Sequence, residues 1–286
     1  MLIKRNLLLF FRDRANVLFS LLAVFIIIGL YVLFLGNLME QSLRSALDFD
    51  SNKIGVTMAS LTLSGMIAAA SVTSCYGAVA ISVADKCTAA KDFFTSPISR
   101  NKLTLSYAVG SGVVGLIMTL IALVLSIAYI MISGGTIPNL NDCVKLLLTV
   151  ILSVLCGNSI VFFISVFIKS QGAVTALGTI IGTLIGFLMG VYIPIGQMPS
   201  GVQWIIKCFP MSHAASMFRQ VLADKDLSAL FASAPPEALN SFRDTFGVTF
   251  SFGSFVSGFW FSALVLAVTA GIFYALSALV MRMRRS

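Results

Sequence analysis

Six long apolar runs separated by short polar stretches dominate the chain, at roughly 17–39, 54–84, 104–132, 144–168, 171–195 and 253–281. Each is long enough to cross about 30 Å of hydrocarbon as a helix, and helices satisfy their own backbone groups where water is absent. The pattern predicts an all-α integral membrane protein with six transmembrane helices in one domain, 1–286. The apolar core of the first run, Val17 to Leu35, outlasts a signal-peptide core, and no small-residue cleavage site closes it, so it reads as a retained span. Ahead of it, Ile3, Leu7, Phe10 and Phe11 share one face of a helix while Lys4, Arg5, Arg12 and Asp13 fall largely elsewhere. This predicts an interfacial helix over 1–16; the alternative is a basic flank that anchors the first span.

Between the fifth and sixth runs, 196–252 departs from the tight loops found elsewhere. Gly201 to Pro210 is apolar but too short to span, which predicts a re-entrant or interfacial helix pair, broken at Pro210 and resumed from Met211 to Leu222. Trp204 suits a membrane interface. Asp224 to Phe246 is polar enough to lie outside the membrane, with Pro235-Pro236 opening a short amphipathic helix.

Composition agrees with this class: 58% of residues are hydrophobic, 10% are charged, and the mean hydropathy is +0.99. The net charge of +8 reports topology. Of 19 Lys and Arg, twelve (Lys4, Arg5, Arg12, Arg14, Lys86, Lys91, Arg100, Lys102, Lys169, Arg282, Arg284 and Arg285) fall on one face of a six-span arrangement. The other face takes eight of the 11 acids. The positive-inside rule then places both termini in the cytoplasm of a multi-pass plasma-membrane protein. A nucleic-acid partner is disfavoured, because the bases are split among short segments without interleaved aromatics.

What the spans lack narrows the mechanism. None carries Asp, Glu, Lys, Arg or His in its middle, where each costs roughly 2.5–3.5 kcal/mol and marks an ion or proton path; ion coupling is unsupported. No G-x-x-x-x-G-K-[ST] loop is present, so ATP is not bound by that route, and neither H-E-x-x-H nor G-x-S-x-G occurs. The lone histidine, His213, reads as an interfacial or loop residue. Cys75 and Cys156 lie in spans, Cys87 in the inside loop, and Cys143 and Cys208 on the outer side, with no metal-ligand spacing. Asn158 is placed to bond a neighbouring helix.

The inside loop 85–102, Asp-Lys-Cys-Thr-Ala-Ala-Lys-Asp-Phe-Phe-Thr-Ser-Pro-Ile-Ser-Arg-Asn-Lys, concentrates four bases and two acids between two apolar spans, as a handle for a soluble partner would. The order of parts, with Lys91 to Arg100 closing on Pro97-Ile98-Ser99-Arg100, resembles the permease subunits of type 2 ABC exporters over essentially the whole chain. Asp85-Lys86 stands where that family more often has Glu-Arg and a Gly-rich turn. The resemblance implies that two permease copies or homologues pair around a central path. It also implies that each receives an ATPase subunit, holding ATP and Mg, on this loop. Lys86, Lys91, Asp92, Phe93, Phe94, Pro97 and Arg100 are the coupling residues by position: charges for the ATPase surface, phenylalanines for a socket, and Pro97 to end the helix sharply.

The fifth run repeats glycine every fourth residue, Gly178, Gly182, Gly186 and Gly190, with Thr175, Thr179 and Thr183 beside it. Such spacing lets helices approach closely and lets threonines bond across them, either within one subunit or at a subunit seam on the translocation path. The second run offers a neighbour through Ser60, Ser64, Ser71, Ser74, Gly65 and Ala68. The functional expectation is a dimeric exporter permease; a membrane scaffold or sensor using the same loop is the alternative, and a membrane enzyme ranks third.

Overall fold

The computed structural model describes residues 2–15, 17–18, 22, 25–26, 29, 51–88, 100–168, 170–232 and 234–283. The protein is an all-α integral membrane protein. Helix α1 (Leu2–Arg12) is followed by α2 (Ser51–Thr88), α3 (Arg100–Ile132), α4 (Leu140–Ser165) and α5 (Gln171–Leu188). Then come α6 (Ser200–Cys208), α7 (Pro210–Leu222), α8 (Asp224–Leu230), α9 (Pro236–Thr245), strands β1 (Ser251–Phe252) and β2 (Phe255–Val256), and α10 (Phe259–Met283). Among the described residues, α2, α3, α4, α5 and α10 are long and apolar enough to cross a membrane. Most of the first expected span lies outside them.

Helix α2 is the hub. It packs against α3, α4, α5, α7 and α8, which is possible because its sequence is rich in Ser and Ala. The buried hydroxyls of Ser60, Ser64 and Ser71 donate to carbonyls of their own helix, Val56, Ser60 and Ala68, at 2.6–3.0 Å. Polar groups satisfied in this way leave small surfaces on which neighbours sit closely. The main core runs through Met66, Val72, Val154, Met211, Phe218 and Leu266.

The helix pair broken at Pro210 forms as expected: α6 stops at Cys208, and Pro210 opens α7, a position where a missing N–H costs nothing. Nearly every residue of α7 is buried, because it inserts between α2, α4 and α10. Helix α9 begins at Pro236, also as expected. The sixth run starts later than its hydropathy suggested, since residues 251–256 form a two-stranded hairpin turning at Gly253 (φ 66°). The fifth ends earlier, at Leu188, with Gly190 turning in the left-handed region (φ 61°).

Helix α1 buries Asn6 and Phe10, while Ile3 and Phe11 stay exposed. The Asn6 amide donates to the Ser106 carbonyl of α3 at 3.3 Å, and Phe10 packs on Val114 and Met118. The helix therefore binds protein along one narrow face. It stops at Asp13, whose carboxylate accepts from the Ala15 N–H at 3.1 Å and opens the next helical turn.

Candidate translocation surface and its anchor

Helices α6 to α9 gather at one end of the bundle, the cap end, with the start of α2; the last turn of α2 and the first turn of α3 lie at the other, the loop end. Of the residues expected to couple to an ATPase, Lys86 belongs by backbone to the last turns of α2 and Arg100 begins α3. Lys91, Asp92, Phe93, Phe94 and Pro97 lie outside the described residues. The two helices that flank this segment, α2 and α3, pack extensively against each other.

Helix α5 leans chiefly on α2. The Tyr76 hydroxyl of α2 donates to the Val174 carbonyl, and the Tyr76 ring lies over Gly178, where a Cβ would come within 2.8 Å of it. The four glycines do not act alike. Gly178 makes room for Tyr76, and Gly186 makes room for Tyr192, whose ring a Cβ would strike at 2.2 Å. Around Gly182 an added Cβ meets nothing within 4 Å. Gly190 is not on the helical stripe at all; it is the turn after the helix. The threonines bond within their own helix rather than to another helix of the subunit: Thr175 to Gln171, Thr179 to Thr175 and Thr183 to Thr179, at 2.9–3.3 Å. All three, with Gly182, remain exposed. The stripe therefore splits into two glycines used inside the subunit and a Thr/Gly face left open.

At the cap end α5 is pinned by Arg219 of α7, which is 1% exposed. Its guanidinium donates to Met189 and Gly190 at 2.5 and 3.0 Å, to Leu61 of α2 at 3.2 Å, and to Gly247 beyond α9 at 3.4 Å. A planar fork with five N–H donors suits four carbonyls converging from three segments. The carbonyls that end α5 also present the negative end of its dipole. Gly65, Gly190 and Gly247 create the space, since a Cβ at any of them would come within 3.3 Å of the guanidinium. Burial lowers the Arg219 pKa to about 10, which leaves it charged at neutral pH.

His213, expected at an interface or in a loop, is instead a buried member of α7. Its ring nitrogens meet the Ser262 hydroxyl at 3.2 Å and the Lys207 carbonyl at 3.1 Å, with Phe250 and Phe261 edge-on around it. With both nitrogens partnered, burial is tolerated, and it holds the imidazole pKa below its ordinary value. Asn158 bonds neighbouring helices as expected: its amide donates to the Ala108 carbonyl at 2.9 Å and the Tyr274 hydroxyl at 2.8 Å, and its oxygen accepts from Ser111 at 2.7 Å. Cys143 and Cys208 are both free. Lys225 pairs with Asp142, and Arg243 with Asp224 at 2.8 Å, tying the cap to itself and to α4.

A bundle of apolar helices entered by a broken helix pair is what a family comparison then places: the family model described as ABC-2 type transporter matches residues 1–223. The chain belongs to the ABC-2 type transporter family. A search of curated proteins gave no match. As an ABC-2 membrane subunit it is a permease component of an ABC transporter, and subunits of this kind work with an ABC ATPase. The ABC-2 match runs from α1 through the end of α7, Arg219 included; α8, α9, the hairpin and α10 lie beyond it.

Reading the sequence did not find the Arg219 anchor, although a signal was there. Met211 to Leu222 is apolar or small around most of its circumference, the mark of a buried helix, and a lone Arg in such a helix needs acceptors. By its place in the chain it is only one of the seven Lys and Arg that fall on the opposite face from the twelve named above.

Proposed function

We propose that this chain is the permease of an ABC exporter, pairing with a second copy across the open face of α5 and driven by a separate ATPase docked on 85–102. The cap end then lies outside the cell and the loop end in the cytoplasm. The observation that carries this reading is the exposed line of Thr175, Thr179, Gly182 and Thr183 beside hub helix α2: a polar, small-residue surface of this kind suits contact with protein or a hydrated path better than lipid. Gly178, Gly186 and Gly190 support it from behind, by setting the position of α5 on Tyr76, Tyr192 and Arg219. ATP and Mg are held by the partner, and this chain supplies no cofactor. On the loop, Lys86, Lys91, Asp92 and Arg100 meet the ATPase surface, while Phe93 and Phe94 enter its socket and Pro97 passes the motion to α3.

The test is reconstitution with the cognate ATPase. Replacing Phe93 and Phe94 with Ala should leave the permease folded and uncouple ATP hydrolysis from transport. Unchanged ATPase association and transport in the double variant would overturn the docking assignment. In a chain stripped of other cysteines, Gly182→Cys should crosslink to its own copy; its failure to do so, with transport intact, would move the seam elsewhere.

A further inference from the structure

A groove of about 770 Å³ runs along the loop-end half of the bundle between α3, α4 and α10. Its mouth is formed by Leu105, Val109, Ile151 and Leu155, all at least 40% exposed, so it opens sideways, toward lipid. Its floor includes Asn158, Tyr274 and Ser277, yet offers a ligand little hydrogen bonding. Both Asn158 amide hydrogens and its oxygen are engaged within the protein, and Ser277 donates to the Phe273 carbonyl at 2.7 Å. A sugar or peptide placed there would lose hydrogen bonds to water and regain few, whereas hydrocarbon loses none.

One end of the groove is different. Arg282, in the last turn of α10, lines it and is exposed, with no acidic partner among the described residues. The first turn of α3, at the same end, carries Arg100 and Lys102 in its sequence. From Tyr274 to Arg282 the helix rises about 12 Å, close to the ~15 Å depth of one hydrocarbon leaflet. A basic head at leaflet depth from an apolar, laterally open trough is complementary to one ligand class.

We propose that the groove holds an acyl chain of an anionic glycerophospholipid from the leaflet at the loop end, with its phosphate on Arg282. Basic residues at the membrane surface favour anionic headgroups, and helix-lined basic pockets at that depth bind them. Lipid held there would fasten α10 to α3 beside the coupling loop. The proposal takes its leaflet from the orientation given above.

The full chain alone, reconstituted in phosphatidylcholine vesicles, tests it without any transport readout, so the result is independent of the exporter reading. A minor fraction of phosphatidylglycerol bearing a photoreactive group in one acyl chain is activated, and the labelled peptides are mapped. Labelling should concentrate on 104–109 and 277–282 and exceed that by a matched phosphatidylcholine probe. Ala278→Trp, at a groove-lining position, should lower it at least fivefold, and Arg282→Gln about fivefold for the anionic probe. Leu264→Trp, on the exposed face of α10 outside the groove, should leave it unchanged. Even labelling along α10 that ignores Ala278→Trp, or equal labelling by the two headgroups in the wild-type chain, would overturn the proposal.

Discussion

Helices α5 and α10 are covered by the rest of the subunit to the same small extent, with 17% of each apolar stretch buried, but they expose opposite chemistry. Helix α10 turns Leu264, Val268, Ile272, Leu276 and Leu279 outward at spacings of three and four residues, a continuous hydrocarbon stripe. Helix α5 turns out Thr175, Thr179, Gly182 and Thr183, with Ile180 and Leu184 beside them. Lipid gains contact with branched chains and none with a glycine gap. Equal exposure therefore has two meanings: α10 offers the bilayer a continuous apolar face, whereas α5 offers a small, polar one that, on the function proposed above, a second subunit covers. The manner of attachment differs as well. Helix α10 packs broadly on α4 and α7, with Tyr274 and Ser262 bonded to Asn158 and His213 along its length, whereas α5 leans chiefly on α2 and is bonded at its two ends, by Tyr76 and Arg219.

The comparison breaks most directly at Arg219. Arg219→Met takes the side-chain donor from four carbonyls, of which only that of Leu61 keeps an intrahelical partner, and should cost on the order of 3–5 kcal/mol, read as a fall in thermal unfolding temperature in detergent; Arg219→Lys should recover little, because the three N–H groups of an ammonium radiate from one point and do not reproduce the spread of the guanidinium fork across these acceptors. An unfolding temperature close to wild type would show that α5 is held by packing after all. Next in size, Gly186→Leu drives a side chain into Tyr192 and should destabilise the isolated subunit by about 1–3 kcal/mol. Gly182→Leu has open space around it, and should leave stability within about 0.5 kcal/mol while transport is lost. The two glycines thus separate an internal contact from an external one, and normal transport in Gly182→Leu would make α5 a lipid-facing helix like α10.

Smaller effects sharpen the contrast. Leu184→Ala on α5 and Leu264→Ala on α10 should each shift stability by less than about 0.5 kcal/mol, since lipid replaces the lost contact; a transport defect confined to Leu184→Ala would extend the covered face of α5. The smallest effect concerns the seat of α10 on His213. Burial lowers this pKa, so protons bind the unfolded chain first. Stability should hold above the ordinary value of 6.5 and decline as pH falls through it. His213→Gln should flatten that slope in pH-dependent unfolding; a parallel decline in both proteins would assign it to other groups.

Apolar run length made the spans legible, together with the break at Pro210 and the helix at Pro236, because bilayer thickness and the missing proline N–H act on local sequence. The glycine stripe was visible as a pattern but not as a division. Whether Gly178 and Gly186 face tyrosines while Gly182 faces open space depends on Tyr76, about a hundred positions away, and on the turn at Gly190 that brings Tyr192 back. His213 looked like a loop residue because its partners, Ser262 and the Lys207 carbonyl, are supplied by the fold.

By itself the sequence determined an all-α membrane class, the positions of the long helices and the kinship with ABC-2 permeases, since these follow from transfer energies summed over neighbouring residues and from local motifs. Only the tertiary structure decided where a charge could be buried, which glycines were already used, and which of two equally exposed helices had been left open. Those outcomes turn on donors, acceptors and volumes contributed by segments distant in the chain, and no local window contains them.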